Sequence, residues 1–347
     1  MGNTSQKERN WYILMDTESN KIILLESLRI GYAAGKHTKE LIPPITASSD
    51  SGELIAVIGR NGIGKSTLLR TLTGLQESLG GRIFLNNKNI CEYNRMDLAR
   101  KIGYISTEIV RASNMTVFNL VSLGRFPHTN WLGRIDRASQ IAIENSLEKT
   151  GLTALRKRNI SELSDGERQK AMISRVLAQD TDIMIMDEPT AFLDISSKYE
   201  IINLMLELTR EGKTIIFSTH DFNIAVNQAD KIWIMLDSGL LEGAPEDLML
   251  GGSFDHLFES AIVGFNSDDG SFIFMREPRG NICISGEGMI RKWTERAVIR
   301  AGYNVSDRGI DITIKTPNRY CKEWVMVTKE ITEHFDSVYD LIRRLQR

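Results

Sequence analysis

Cysteine is scarce in this 347-residue chain, and Cys91, Cys283 and Cys321 stand far apart. Three such thiols exclude a disulfide framework and match no metal-ligand spacing, a usage that suits a reducing compartment. Long apolar runs are missing too: no window approaches the roughly 20 residues that cross a bilayer as a helix. The opening MGNTSQKERN is polar, with no apolar stretch of signal-peptide length behind it. MGNTSQ fits a myristoylation pattern only superficially, since nothing else in the chain supports lipid attachment. Any membrane role is therefore expected to come through a partner. Nor is there an excess of one charge. A formal net charge of −2 argues against a global nucleic-acid-binding surface. Internal repeats and long low-complexity segments are absent as well.

What is present is a globular composition, 41% hydrophobic and 25% charged, over a length that suits two domains. The central region alternates apolar strand-like runs with helical stretches. ELIAVIGR leads into KSTLLRTLTGL, DIMIMDEP into SSKYEIINLMLELTREG, and KTIIFSTHD into FNIAVNQAD, with KIWIMLD last. That order predicts parallel strands joined by crossover helices. Residues 183–186, IMIM, are apolar on both faces, as a central parallel strand requires. GRIFLNNKNICEY reads as an antiparallel strand and turn, and residues 110–160 as a mostly helical insertion. Around residues 249–258 the pattern loosens, and SDDGS marks a turn-rich junction. Beyond residue 277, strand and helix patterns predict a small α+β unit whose Phe, Trp and Met are expected in its core.

Four segments carry chemistry. GRNGIGKST, residues 59–67, satisfies G-x-x-x-x-G-K-[ST] between an apolar strand and a helix. Gly59, Gly62 and Gly64 let backbone N–H groups wrap phosphates, Lys65 adds a point charge, and Ser66 offers a hydroxyl to Mg²⁺. In IMIMDEP, Asp187 closes a buried strand and is placed to hold Mg²⁺ through water, while Glu188 is placed to orient or deprotonate an attacking water. His220 closes the strand IIFSTH at the same sheet edge, where ligands of such sheets collect. SELSDGERQK, residues 161–170, is a capped helix start, Ser164 with Glu167 three positions on, and so a second anion-facing helix end.

In this order and spacing, GRNGIGKST, LSDGERQK, IMIMDEPTAFLD and STHD resemble the nucleotide-binding subunit of an ATP-binding cassette (ABC) transporter over roughly residues 20–255. The resemblance implies an α/β P-loop ATPase with an antiparallel β subdomain and a helical subdomain. It implies domains of residues 1–255 and 256–347. ATP and Mg²⁺ would be bound by Tyr32 against adenine and by Gly59, Asn61, Gly62, Gly64, Lys65, Ser66 and Thr67, with Ser66 and Asp187 on the metal. Lys65, Glu188 and His220 would be the catalytic groups. It also answers what a second phosphate-facing helix is for: Ser164 and Gly166 would contact the nucleotide held by another copy, across an interface reached by Phe192, Leu193 and Asp194. Two plainer readings stay open, Tyr32 as a packed strand aromatic and residues 192–194 as an ordinary turn.

Three departures stand out. Asp165 replaces a glycine and brings a negative charge beside a phosphate site, and Glu167 replaces a glutamine. The third is the metal-reaching glutamine after the strand KIGYISTE, whose place is taken by Thr107, or by Glu108 if the loop slips one residue.

MTVFNLVSLGRFPHTNWLGR, with Gly124, Arg125, Pro127 and His128, resembles the helical subdomain of importers for iron–siderophore complexes, haem and cobalamin. The implied protein is the ATP-hydrolysing subunit of an iron-complex importer, with cobalamin import or a soluble ABC ATPase as alternatives. It would work as a homodimer with membrane permease subunits and a substrate-binding protein, at the cytoplasmic face of the inner membrane. Residues 277–347 resemble no family at this level.

Overall fold

The computed structural model describes residues 21–34, 37–107, 114–129, 135–258, 263–266, 271–274, 277–308, 310–318 and 322–346. The chain divides into two compact units after Phe258, three residues beyond the expected 255/256 boundary.

In the first unit, β1 (Lys21–Arg29) lies between β4 (Ile45–Asp50) and β6 (Gly80–Leu85), all antiparallel. Between β1 and β4 in the chain, β2 (Gly31–Ala34) and β3 (His37–Glu40) form a separate hairpin. The short β7 (Lys88–Asn89) pairs with β6, so the expected antiparallel strand and turn over 81–93 is present. Gly81, at φ +78°, is demanded by space as well as by backbone: a Cβ there would lie 2.2 Å from the Ser27 carbonyl oxygen.

The larger sheet has the order β12-β11-β5-β10-β9-β8. Its strands are β5 (Leu54–Gly59), β8 (Ile102–Ile105), β9 (Ile183–Met186), β10 (Thr214–Ser218), β11 (Lys231–Leu236) and β12 (Gly239–Gly243). All are parallel except β12, which pairs antiparallel with β11. Every residue of β9 and β10 is buried, which explains their unbroken apolar runs. One core cluster joins Leu25, Ile45 and Ile83 of the antiparallel sheet to Ile55, Ile185 and Trp233 of the parallel one. Helices α1 (Lys65–Leu72), α2 (Arg95–Ala99), α3 (Val117–Ser122), α4 (Arg137–Lys149), α5 (Asp165–Ala178), α6 (Ile195–Arg210), α7 (Phe222–Gln228) and α8 (Pro245–Leu250) complete this unit. Parallel strands send their carboxyl ends to one edge. Gly59 at the end of β5, and Asp187 and His220 just past β9 and β10, are therefore neighbours although far apart in sequence.

The second unit has a hairpin, β13 (Val263–Asn266) with β14 (Ser271–Phe274), where the sequence suggested only a turn-rich junction. Its main sheet has the order β16-β15-β17-β18-β19, from β15 (Asn281–Ser285), β16 (Asn304–Val305), β17 (Ile312–Lys315), β18 (Trp324–Val327) and β19 (Thr332–Phe335). Helices α9 (Gly288–Arg300) and α10 (Val338–Leu345) bury Ala297, Val298, Leu341 and Ile342 with Ile282, Ile284, Ile314 and Met326. The unit is α+β as expected, but its large apolar residues are not all core. Met289 and Trp293 are 75% and 58% exposed on α9, because Thr294, Ala297 and Val298 supply that helix's buried stripe. Among the described residues of both units, no helix is long and apolar enough to cross a membrane.

Candidate functional site

The loop between β5 and α1 turns on two glycines with positive φ, Gly62 at +80° and Gly64 at +115°. Gly64 is the N-cap of α1 and makes no side-chain cap hydrogen bond, so the first-turn amides face outward without a side-chain acceptor. A Cβ on Gly64 would sit 2.8 Å from the Leu41 side chain. Lys65 is buried, and its Nζ donates to the carbonyl oxygens of Gly59 (2.9 Å) and Arg60 (3.2 Å). Burial draws its pKa below the ordinary lysine range, and the charges of Glu188 and Asp187 pull the other way. Asn61 and Ser66 are exposed at the loop. Thr67 is buried and shares a 2.9 Å hydrogen bond with the Tyr32 hydroxyl, which leaves Tyr32 55% exposed beside the loop. An aromatic ring so held, with an open face, is able to stack on a flat base.

Asp187 follows β9 and is 3% exposed. The Ser218 hydroxyl, at the end of β10, donates to its Oδ1 at 2.7 Å and accepts the Glu188 N–H at 2.9 Å. Glu188 sits in the left-handed region at φ +50° and places its Oε1 2.7 Å from His220 Nε2. One edge thus gathers a lysine, two adjacent carboxylates and an imidazole. Sequence reasoning missed Ser218; its position two residues before His220 in STHD was the available signal.

The Ser66 hydroxyl and the Asp187 carboxylate are hard oxygen donors, the kind Mg²⁺ takes alongside waters and phosphate oxygens. Among the described residues no group of three or more His, Cys, Asp or Glu forms an all-protein metal cage. The donor set therefore fits a cation brought with a nucleotide. Thr107, in the loop after β8, lines a small cavity of about 60 Å³ with Asp165, Arg168, Glu188 and Phe192, so its hydroxyl reaches the same neighbourhood. Glu108 lies outside the described residues.

The predicted start of α5 is a full capping box. Ser164 Oγ accepts the Glu167 N–H at 3.2 Å, and Glu167 Oε2 accepts the Ser164 N–H at 2.8 Å. That second bond holds the Glu167 carboxyl below its ordinary range. Arg168 donates to Asp165 Oδ1 at 2.6 Å and to the Leu163 carbonyl at 2.8 Å, which pairs the charge that stands where the resemblance expects glycine. Gly166 is explained by close approach: a Cβ would meet Ser197 Oγ at 2.7 Å. Asp194 caps α6 by accepting the Ser197 N–H at 2.8 Å, and Phe192, at φ +64°, is 90% exposed. Among the described residues, no hydrogen bond or ion pair joins Ser164 or Gly166 to the Gly59–Thr67 loop.

Past α3, the turn Leu123–His128 contains Pro127 and grips the other end of α5. Arg125 Nη1 donates to the Ala178 carbonyl (2.8 Å), and His128 Nε2 lies 2.8 Å from the Gln179 carbonyl oxygen. Leu123 and Phe126 stay exposed over a groove of about 570 Å³ that also takes in Tyr104, Pro127, Arg175 and Gln179.

With this geometry in place, the comparisons decide the family. Residues 43–191 match the ABC transporter model. The ferric enterobactin transport ATP-binding protein FepC of Escherichia coli is 35% identical over 244 residues, 70% of this chain and 89% of that one. The chain belongs to the ABC transporter ATP-binding proteins. As an ABC ATP-binding protein it is an ATPase, and ATP is its nucleotide. The iron(3+)-hydroxamate import ATP-binding protein FhuC of Bacillus subtilis is 36% identical over 201 residues, 58% of this chain and 73% of that one. Residues 279–346, within the 277–347 segment whose sequence alone resembles no family, match the iron ABC transporter C-terminal domain. Among solved structures, an ABC transporter in an inward-facing conformation superposes with a TM-score of 0.60 at 25% identity, over 73% of this chain and 96% of that one. The first unit of this ABC protein, with its antiparallel and parallel sheets and flanking helices, thus has the family's fold.

Proposed function

We propose that this ABC ATPase energises import of an iron complex, a ferric siderophore or haem, across the inner membrane. It would act as a homodimer on the cytoplasmic face, docked to permease subunits that receive cargo from a substrate-binding protein. The observation that carries the hydrolytic part is the meeting of Lys65, Asp187, Glu188 and His220 at one sheet edge beside an uncapped helix N-terminus. The iron part rests on the C-terminal family match and on relatives whose names specify ferric enterobactin and iron(3+)-hydroxamate.

In this reading the amides of residues 62–67 and the Lys65 ammonium bind the phosphates, while Tyr32 stacks on the base. Ser66 and Asp187, with Thr107 nearby, would hold Mg²⁺, which would supply charge neutralisation for phosphoryl transfer. Glu188 takes the proton of the attacking water, and His220 fixes the Glu188 carboxylate through the 2.7 Å contact. Ser164 and Gly166 address the nucleotide of the second copy, and the groove beside Leu123 and Phe126 receives a permease helix.

Uptake of labelled ferric siderophore, haem and cobalamin in a deletion strain tests the reading. Loss of one iron complex, restored by the wild-type chain and not by Lys65→Ala, is the expected result. Selective loss of cobalamin would move the assignment to that cargo. Unchanged uptake of all three, with redundant systems deleted, would remove the import assignment.

A further inference from the structure

Ser218 is a fully buried hydroxyl between the two acids of the site. A backbone N–H only donates, so the Glu188 amide fixes which way this hydroxyl points. Its oxygen accepts from Glu188, and its one proton is left for Asp187 Oδ1. The ladder cannot do this work. The β10–β9 register ends at Phe217 opposite Met186, one step short of Asp187, and a side chain carries the connection onward. Glu188 holds a left-handed backbone that is costly for a non-glycine residue, and such a conformation persists only where its surroundings hold it. The neighbouring hydroxyl is already committed, since Thr219 Oγ1 accepts the Asp221 N–H at 3.0 Å.

We propose that Ser218 is a positioning residue that holds the Glu188 turn and the Asp187 carboxylate in one hydrogen-bonded unit. Through it, the acid facing the metal and the acid facing the attacking water keep a fixed mutual geometry. Without the hydroxyl, the Glu188 amide loses its acceptor, the left-handed turn loses a restraint, and Asp187 loses the bond that orients Oδ1. This inference rests on the hydrolytic reading above.

The test uses the purified full-length protein carrying Ser218→Ala, Ser218→Thr or Glu188→Gln. Three quantities are read: steady-state kcat and KM for ATP; Mn²⁺ binding by EPR in the presence of a non-hydrolysable ATP analogue; and hydrogen exchange of the peptide containing Glu188. For Ser218→Ala the expected kcat is about 10–100-fold lower with KM within about threefold, the range seen when a partner of a metal ligand is removed. Mn²⁺ binding weakens, and exchange at the Glu188 peptide accelerates. Ser218→Thr, which keeps the hydroxyl, restores most of the loss. If the threonine methyl lowers the melting temperature, Ser218→Cys, close in volume and poor in hydrogen bonding, takes its place and is expected to behave like Ser218→Ala.

Wild-type kcat and Mn²⁺ affinity in a folded Ser218→Ala would overturn the proposal. So would equal losses in Ser218→Ala and a normally melting Ser218→Thr. Failure of the underlying reading looks different: there, Glu188→Gln itself would hydrolyse ATP at the wild-type rate.

Discussion

The N-termini of α1 and α5 are both suited to anions, yet they are finished in opposite ways. Gly64 leaves the first turn of α1 without a side-chain acceptor, and a buried lysine lies folded against the same loop. At α5, Ser164 and Glu167 satisfy each other, and Asp165 is paired with Arg168. The α1 end therefore leaves its first amides to water or to an incoming anion, which suits the phosphate binding proposed above. The α5 end is held by its own capping box, so an anion there adds to a helix start that stands without it. Such an end suits a contact made and broken in each cycle, while the α1 end suits the firmly held nucleotide.

The contrast breaks most severely at Lys65. Lys65→Ala removes the one ammonium at the loop, and nucleotide affinity measured by calorimetry should fall about 100-fold or more. Glu188→Gln should leave ATP affinity within about threefold while slowing phosphate release in a steady-state assay by roughly 10²–10⁴. ATP and Mg²⁺ should then trap it as a dimer in light scattering, and a monomer under those conditions would count against the two-copy arrangement. At α5 the effects shrink. Ser164→Ala loses a cap worth about 1 kcal/mol, readable in a urea titration. Arg168→Ala uncovers the Asp165 charge and should lower kcat by up to about fivefold, a loss that Asp165→Gly in the same chain should reverse.

The smallest effect is a pH dependence. Glu167 is held below its ordinary range by the Ser164 N–H, so its contribution to stability is present above the unfolded carboxylate value of about 4.3. It is lost as the pH falls through the depressed folded value. The gap in melting temperature between wild type and Glu167→Ala should therefore close on acidification.

The parallel sheet was legible because burial on both faces leaves unbroken apolar runs, as in residues 183–186, and the phosphate loop because strand, glycines and helix must follow in sequence. The capping box was legible for the same local reason. Ser218 was not: its role depends on the register that sets β10 beside β9, a relation across about 30 residues. The pairing of Asp165 with Arg168 was missed although local, since sequence weighs the acid against the phosphate and not against its neighbour three positions on. On α9, Met289 and Trp293 drew a core assignment by residue type, whereas the sheet beneath needs only the Thr294, Ala297 and Val298 stripe.

The grip of Arg125 and His128 on Ala178 and Gln179 has a mechanical side. Helix α5 runs 14 residues, a rod of about 21 Å. The Leu123–His128 turn is fastened to one end by two hydrogen bonds and by the bare backbone of Gly124, whose missing Cβ would fall 1.9 Å from the Arg175 carbonyl oxygen. The joint is thus tied by two hydrogen bonds and packed backbone against backbone. A force on the turn is therefore passed to the end of the rod, with Ser164 and Gly166 at the opposite end of the same helix.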